Sequence, residues 1–291
     1  MSLETLEPQP RMSAEIDAYS ATCFDRYRHV VASHRSVLDL PYAAEGQTLD
    51  MVLPADEAKG DLPVFVFLHG GGWCLGYKEW CTFMAPAIVS LPAILVAVDY
   101  RLIPSVAFPA PVEDAVSAIK WIYRNIANYG GAPDRIVIGG HSAGGQIAAT
   151  AALSPGLLDL ADLPRDVIKA CFCLSTTFSR RMIPPTLAPD HIQPGGPSDI
   201  MPDSPLALAA NAAAPFHIAW GGLEDPRLEH TGTLMASALT AADRSVTTEV
   251  YENENHFSIH LKTGDSRDAW SQAVRAALLA TDRRAATRVA P

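Results

Sequence analysis

Residues 135–145, Arg135-Ile-Val-Ile-Gly-Gly-His-Ser-Ala-Gly-Gly145, decide how this chain folds. The β-branched run Ile136-Val137-Ile138 reads as a buried strand. It empties into Gly-x-Ser-x-Gly, Gly140 to Gly144, and the apolar spacing of Ile147, Ala148, Ala151 and Leu153 then reads as a helix. A strand, a sharp turn carrying serine and a helix together form a nucleophile elbow, with Gly140 and Gly144 expected to allow the turn. Serine is a weak nucleophile unless a base and oxyanion donors surround it. A Gly-x-Ser-x-Gly string also arises by chance in ordinary strand-to-helix turns, so Ser142 is a candidate nucleophile only if those other parts exist.

Upstream, Pro63-Val-Phe-Val-Phe-Leu-His69 reads as a second buried strand that opens into Gly70-Gly71-Gly72-Trp73. Consecutive glycines expose backbone N–H groups, and such a loop beside the elbow can aim them at a developing oxyanion. Gly71 and Gly72 are the candidate donors, with Ala143 N–H as the third. A flexible glycine loop or a phosphate cradle are the alternatives. No G-x-x-x-x-G-K-[ST] and no G-x-G-x-x-G with a following ribose-binding acid accompanies the glycines, which disfavours the cradle.

An acid and a histidine should follow Ser142 in that order. Phe216-His-Ile-Ala-Trp220 is a short apolar run opening into Gly221-Gly222-Leu-Glu-Asp225-Pro226, and Thr247 to Tyr251 is a further strand with His256 just beyond it. His256 stands after the last strand and before the final helix, where a base can reach Ser142. Asp225 is the candidate acid because it lies at the G-x-x-D offset from Gly222. Glu224 is the rival. Trp73 and Phe257 flank these groups and are candidate substrate-pocket walls, although large apolar residues serve equally well as core.

These motifs resemble those of α/β-hydrolase esterases, in the branch that joins hormone-sensitive-lipase-like enzymes and kynurenine formamidases. The resemblance rests on His69-Gly-Gly-Gly-Trp73, Asp99-Tyr-Arg-Leu-Ile-Pro104, Phe108-Pro-Ala-Pro-Val-Glu-Asp114, Gly140-His-Ser-Ala-Gly-Gly145, Gly222-Leu-Glu-Asp225 and His256-Phe257, which cover most of the chain in the family's order. It implies an α/β-hydrolase fold and a Ser-His-Asp hydrolase of small esters, with arylformamide hydrolysis as the alternative. It implies no cofactor and no metal. The formamidases often carry an aromatic residue at the position of Gly72. The lipase-like group usually has an acidic residue at the positions of His141 and Ser105. The chain thus stands between the two groups, which leaves its substrate class open. A catalytically silent binding protein on the same fold would be expected to have lost the nucleophile or the base, and both are present.

Alternating strands and helices imply an α/β architecture: a mostly parallel central sheet, helices on both faces, and a first strand or two paired antiparallel. Expected helices include Ser13 to Ser33, Glu79 to Val89, Pro111 to Asn128, Leu228 to Ala241 and Ser266 to Ala280. The 291 residues, 48% of them hydrophobic, suit one domain over 1–291. Residues 175–214 break the rhythm with proline, glycine and polar side chains, and are expected to form a short cap. Phe178, Arg180, Arg181 and Met182 would face the pocket, or the arginines would simply be solvated. The Asp99-Tyr100-Arg101 cluster is expected to tie its loop down through an ion pair rather than to act chemically. Acidic Glu113 and Asp114 suit a helix's first turn.

A net charge of −10 opposes binding to nucleic acid or to anionic membranes and favours neutral or cationic small molecules, here an ester or amide. A homodimer is the candidate assembly. No stretch of 18 apolar residues and no apolar signal-type core near Met1 appears, so spanning a membrane or secretion is not expected. The odd set of five cysteines lacks metal-ligand spacing, Cys171 and Cys173 suit packing, and a reduced cytoplasmic setting is expected.

Overall fold

Strands β3 (Leu62–Leu68) and β5 (Gly131–His141) lie side by side and parallel at the centre of the sheet, pairing Leu68 with Gly140. They carry the glycine loop and the elbow, which therefore leave the sheet at the same edge. The structure is a computed structural model that describes residues 3, 6–10, 13–55, 60–179 and 204–282. Around the central pair stand β1 (Arg35–Pro41), β2 (Thr48–Leu53), β4 (Ile94–Val98), β6 (Ile168–Leu174), β7 (Phe216–Gly221) and β8 (Val246–Tyr251), in the order β1-β2-β4-β3-β5-β6-β7-β8. The β1–β2 and β2–β4 pairs are antiparallel and the rest parallel, as the alternation of elements implied.

The inner strands are continuous apolar runs because both faces are covered. Along β3, Val64, Val66 and Leu68 enter one core layer and Phe65 and Phe67 the other. The first layer holds α3 (Ala110–Asn125), α4 (Ala143–Ala152) and α7 (Pro226–Ala241). The second holds α1 (Ala14–Ser33), α2 (Ala85–Val89) and α9 (Ala269–Ala280). Shorter helices are α5 (Pro155–Leu160), α6 (Pro205–Leu208) and α8 (Ser258–Lys262). The α3 stripe Val112, Val116, Ile119, Ile122 and Ile126 is buried throughout, and Gly130 closes the turn beyond it with φ 86°. Cys171 and Cys173 face the same layer as free thiols, their sulfurs 3.8 Å apart.

The expected helix over 79–89 is absent. In its place stand two 3₁₀ turns, Lys78–Trp80 and Thr82–Met84, followed by the short α2. Pro86 has no N–H to donate to Thr82, so a continuous helix would lose a bond there. Lys78 is also pinned: its N–H donates to Asp99 Oδ1 at 2.8 Å, and its buried ammonium lies 2.9 Å from Asp39, 2.8 Å from Glu79, 3.5 Å from Asp50 and 3.6 Å from Asp99.

The Asp99-Tyr100-Arg101 cluster ties the loop after β4 as expected. Arg101 Nε and Nη2 donate to Asp114 at 2.7 to 3.0 Å, and Tyr100 Oη donates to His69 O at 2.8 Å. Asp114, expected to serve the helix dipole, is thus the ion-pair partner of Arg101. Of the expected cap, 180–203 lie outside the described residues, with Arg180, Arg181 and Met182 among them. Phe178, expected at the pocket, is instead a fully buried member of the first core layer.

Candidate active site

At the end of β5 the backbone turns at Ser142, whose φ of 53° and ψ of −120° place the strain of the turn on the serine itself. Gly140 and Gly144 do not carry left-handed backbone here. They are glycine because of close approach: a Cβ on Gly140 would lie 2.3 Å from Gly144 C, and one on Gly144 would lie 2.3 Å from His69 O and Leu68 O. The missing side chains let α4 pack against the glycine loop. Ala143 begins α4, so its N–H belongs to the first helical turn, which has no intrahelical acceptor.

His256, beyond β8, bridges two groups. Its Nε2 lies 3.0 Å from Ser142 Oγ and its Nδ1 lies 2.9 Å from Glu224 Oε2. A carboxylate only accepts, so the ring proton sits on Nδ1 and Nε2 is left to take the serine proton. The Glu224 side chain is 1% exposed. Its second oxygen accepts from Gly221 N at 2.7 Å and from the hydroxyl of Ser175 at the end of β6. Both carboxylate oxygens are thereby held.

Asp225, the expected acid, is not on His256. Its Oδ1 accepts from Arg227 N at 2.9 Å, capping α7, and the Arg227 guanidinium grips both of its oxygens. That pairing holds the Asp225 carboxyl below its ordinary range. The reason is local: Asp followed by Pro is a strong helix start, with Asp as N-cap and Pro in the first turn. Once Asp225 caps α7, its neighbour Glu224 turns inward. The Asp225-Pro226 pair is legible in the sequence as a helix start, whereas the G-x-x-D offset from Gly222 points to Asp225 as the acid.

The loop from Gly70 to Gly72 borders the same cavity as Ser142 and His256, a space of about 290 Å³. Gly71 and Gly72 have φ 123° and 60°, and a Cβ on Gly71 would lie 1.9 Å from Leu75 O. Trp73 and Phe257, the expected pocket walls, both line the cavity, and Trp73 is also a core residue at 4% exposure. Tyr19 of α1 and Trp80 complete an aromatic lining. Tyr19 lies 4.9 Å from the Phe257 ring and 5.3 Å from Trp80. Tyr19 was not among the site residues expected from the sequence, because a helical pattern over 13–33 does not say what the helix packs against.

Behind His256 lies a second imidazole that sequence reasoning missed. His141 Nε2 donates to His256 O at 2.8 Å, and its ring stacks on His260 at 4.6 Å and 6°. His260 in turn hydrogen-bonds Tyr19 Oη through Nδ1 at 2.6 Å and stacks on Phe67 at 5.5 Å. Burial pushes His141 well below the ordinary histidine range and His260 down to about 3, so both rings are neutral spacers rather than bases at neutral pH.

The serine elbow, histidine and carboxylate at the ends of β5, β8 and β7, on an eight-stranded sheet with this order, decide the architecture. The fold is that of an α/β hydrolase. Residues 65–176 match the family model described as alpha/beta hydrolase fold. Carboxylesterase NlhH of Mycobacterium tuberculosis is 43% identical over 110 residues, 38% of this chain and 32% of that protein. A probable isoprenylcysteine alpha-carbonyl methylesterase of Arabidopsis thaliana is 41% identical over 101 residues, 35% of this chain and 21% of that one. These matches span a third or less of the length of the relatives. Among solved structures, the Pyrobaculum calidifontis esterase superposes with a TM-score of 0.71 at 23% identity, covering 93% of this chain and 95% of that one. A thermostable esterase from Pseudomonas putida gives 0.69 at 23% identity, covering 95% and 92%. Among the described residues, no helix is long and apolar enough to cross a membrane.

Proposed function

We propose that this chain is a serine hydrolase of small, neutral carboxylic esters that works through an acyl-enzyme. Ser142 attacks the carbonyl carbon as His256 Nε2 takes its proton. Glu224 fixes the imidazole's tautomer and stabilises its charged form. The N–H groups of Gly71, Gly72 and Ala143 receive the oxyanion. His256 then returns the proton to the leaving alcohol, and water repeats the sequence to release the acid. The observation that carries this reading is His256 spanning Ser142 Oγ and Glu224 Oε2 at 3.0 and 2.9 Å. The names of the carboxylesterase and methylesterase relatives support ester chemistry.

Arylformamide hydrolysis is the second reading. The aromatic lining of Tyr19, Trp73, Trp80 and Phe257 favours it, since a flat aryl leaving group would pack there. Both readings use the same triad. The test is hydrolysis of p-nitrophenyl butyrate with the Ser142→Ala protein as blank. A loss of at least about a thousandfold in kcat with the fold retained is expected, and near-normal turnover by Ser142→Ala would remove the assignment.

A further inference from the structure

The turn after the glycine loop is gripped by a residue far upstream. Gly76 N donates to Gln9 Oε1 at 2.6 Å, and Gln9 Nε2 donates to Gly76 O at 2.8 Å. One side-chain amide thus satisfies both polar groups of one backbone residue. A single bond would let the turn pivot, whereas two fix its position and its rotation. Next to it, Tyr77 Oη donates to Glu7 O at 2.8 Å, giving the upstream segment its own anchor.

Gly76 is wedged against the start of the glycine loop. With φ at 111°, a Cβ there would lie 2.2 Å from His69 Nδ1 and 2.3 Å from Gly70 O. Those two atoms are themselves partners, His69 Nδ1 donating to Gly70 O at 2.6 Å. Burial lowers His69 to about 4, so the ring is neutral, and because a carbonyl only accepts, its proton is on Nδ1. The Gly70–Gly71 peptide is planar and trans. Fixing its carbonyl toward His69 and Gly76 therefore sends the Gly71 N–H in the opposite direction. That N–H is a proposed oxyanion donor.

We infer that Gln9 is a positioning residue of the oxyanion loop: by clamping Gly76 it holds the His69–Gly70 contact and so aims the Gly71 N–H. The inference rests on the hydrolase reading above. Gln9 touches neither substrate nor Ser142, and its two bonds at a partly exposed site would exchange readily for bonds to water. Its contribution is therefore to geometry more than to stability, and rate depends steeply on donor placement.

The experiment compares full-length wild type with Gln9→Ala and Gln9→Glu. Five quantities are read: kcat and KM for p-nitrophenyl butyrate, Ki for a trifluoromethyl ketone that forms an oxyanion on serine, the unfolding midpoint, and hydrogen exchange of the 70–77 amides. Gln9→Ala should lower kcat about tenfold and raise Ki by the same factor. KM should stay within about twofold and the melting temperature nearly constant, while 70–77 exchange faster. In Gln9→Glu, a carboxylate faces the Gly76 carbonyl without a donor, so it should resemble Gln9→Ala at pH 8. Its activity relative to wild type should recover toward pH 5, as the protonated acid regains an O–H. Unchanged kcat and Ki in a folded Gln9→Ala protein would overturn the inference, as would a loss confined to KM. If wild type showed no Ser142-dependent hydrolysis, the hydrolase reading would fall on its own. Exchange at 70–77 would then decide the clamp, unchanged rates refuting it.

Discussion

Glu224 Oε2 sits 2.9 Å from His256 Nδ1, while the carboxylate of the next residue, Asp225, is turned outward onto Arg227 and the first turn of α7. Two adjacent acids thus have separable roles. Glu224→Gln removes the acceptor that fixes the His256 tautomer and should cut kcat by about 10³ to 10⁴. Asp225→Asn keeps a side chain able to cap a helix and should leave kcat within a few-fold, and Asp225→Ala should cost about 1 kcal/mol of stability through the lost cap. Steady-state kinetics and thermal melts of the three variants check this. A greater loss of kcat in Asp225→Asn than in Glu224→Gln would return the acid role to Asp225.

The fold was legible because its signals are local and repeated. Continuous apolar runs at 64–68, 94–98 and 136–138 mark strands covered on both faces, and the α3 stripe with Gly130 beyond it marks one helix from end to end. Ser142 and His256 were legible because each follows a strand end, and the glycine loop because β3 feeds it. What the sequence left open depends on which neighbour wins a contact in space. Glu224 against Asp225 turned on a helix cap, and the 78–84 segment on a buried lysine drawing four carboxylates. The place of His141 turned on a carbonyl more than a hundred residues away. No periodicity records such contacts.

Substitutions in the glycine loop should separate two adjacent residues. A Cβ on Gly71 meets Leu75 O at 1.9 Å on a backbone of φ 123°. Gly71→Ala must therefore move the loop, and kcat should fall by at least about a hundredfold, the scale of one lost oxyanion donor. Gly72, at φ 60°, lies where L-residues are strained by only about 1 to 2 kcal/mol, and Trp73 beside it already adopts φ 63°. Gly72→Ala should keep much more activity. Kinetics with circular dichroism to confirm folding decides it, and full kcat in a folded Gly71→Ala protein would make the loop structural only.

The Lys78 cluster should shape stability against pH. Burial raises the Asp50 carboxyl to about 7, and Glu79 and Asp99 are also raised by burial. The folded chain then holds protons between about pH 4 and 7 that the unfolded chain releases. Stability from these groups is therefore present below about pH 4 and lost as pH rises toward 7. Lys78, raised by its carboxylates against the cost of burial, contributes a pH dependence only in the alkaline range. Asp50→Asn should flatten the acidic-side slope. Lys78→Met leaves the carboxylates uncompensated and should cost about 3 to 5 kcal/mol, whereas Glu79→Gln should be nearly neutral. Denaturant melts from pH 4 to 8 read all three, and a slope unchanged in Asp50→Asn would refute the raised carboxyl.

The cavity beside Ser142 limits what acyl chain can be buried. At about 290 Å³, with Trp73, Trp80, Tyr19 and Phe257 as rigid walls, it lies at the small end of ligand pockets. Each methylene contributes about 0.8 kcal/mol only while there is room to bury it. Along a series of p-nitrophenyl esters, kcat/KM should peak between acetate and hexanoate and fall steeply by decanoate, without interfacial activation. N-formylkynurenine, run beside the esters with Ser142→Ala as blank, separates the two readings, since its leaving group is an arylamine that the aromatic walls would hold. Turnover of N-formylkynurenine far above that of every ester would assign the chain to arylformamide hydrolysis and remove the ester reading. An optimum at decanoate or beyond would instead show that the aromatic walls give way to longer chains, and the small-pocket argument would fail with them.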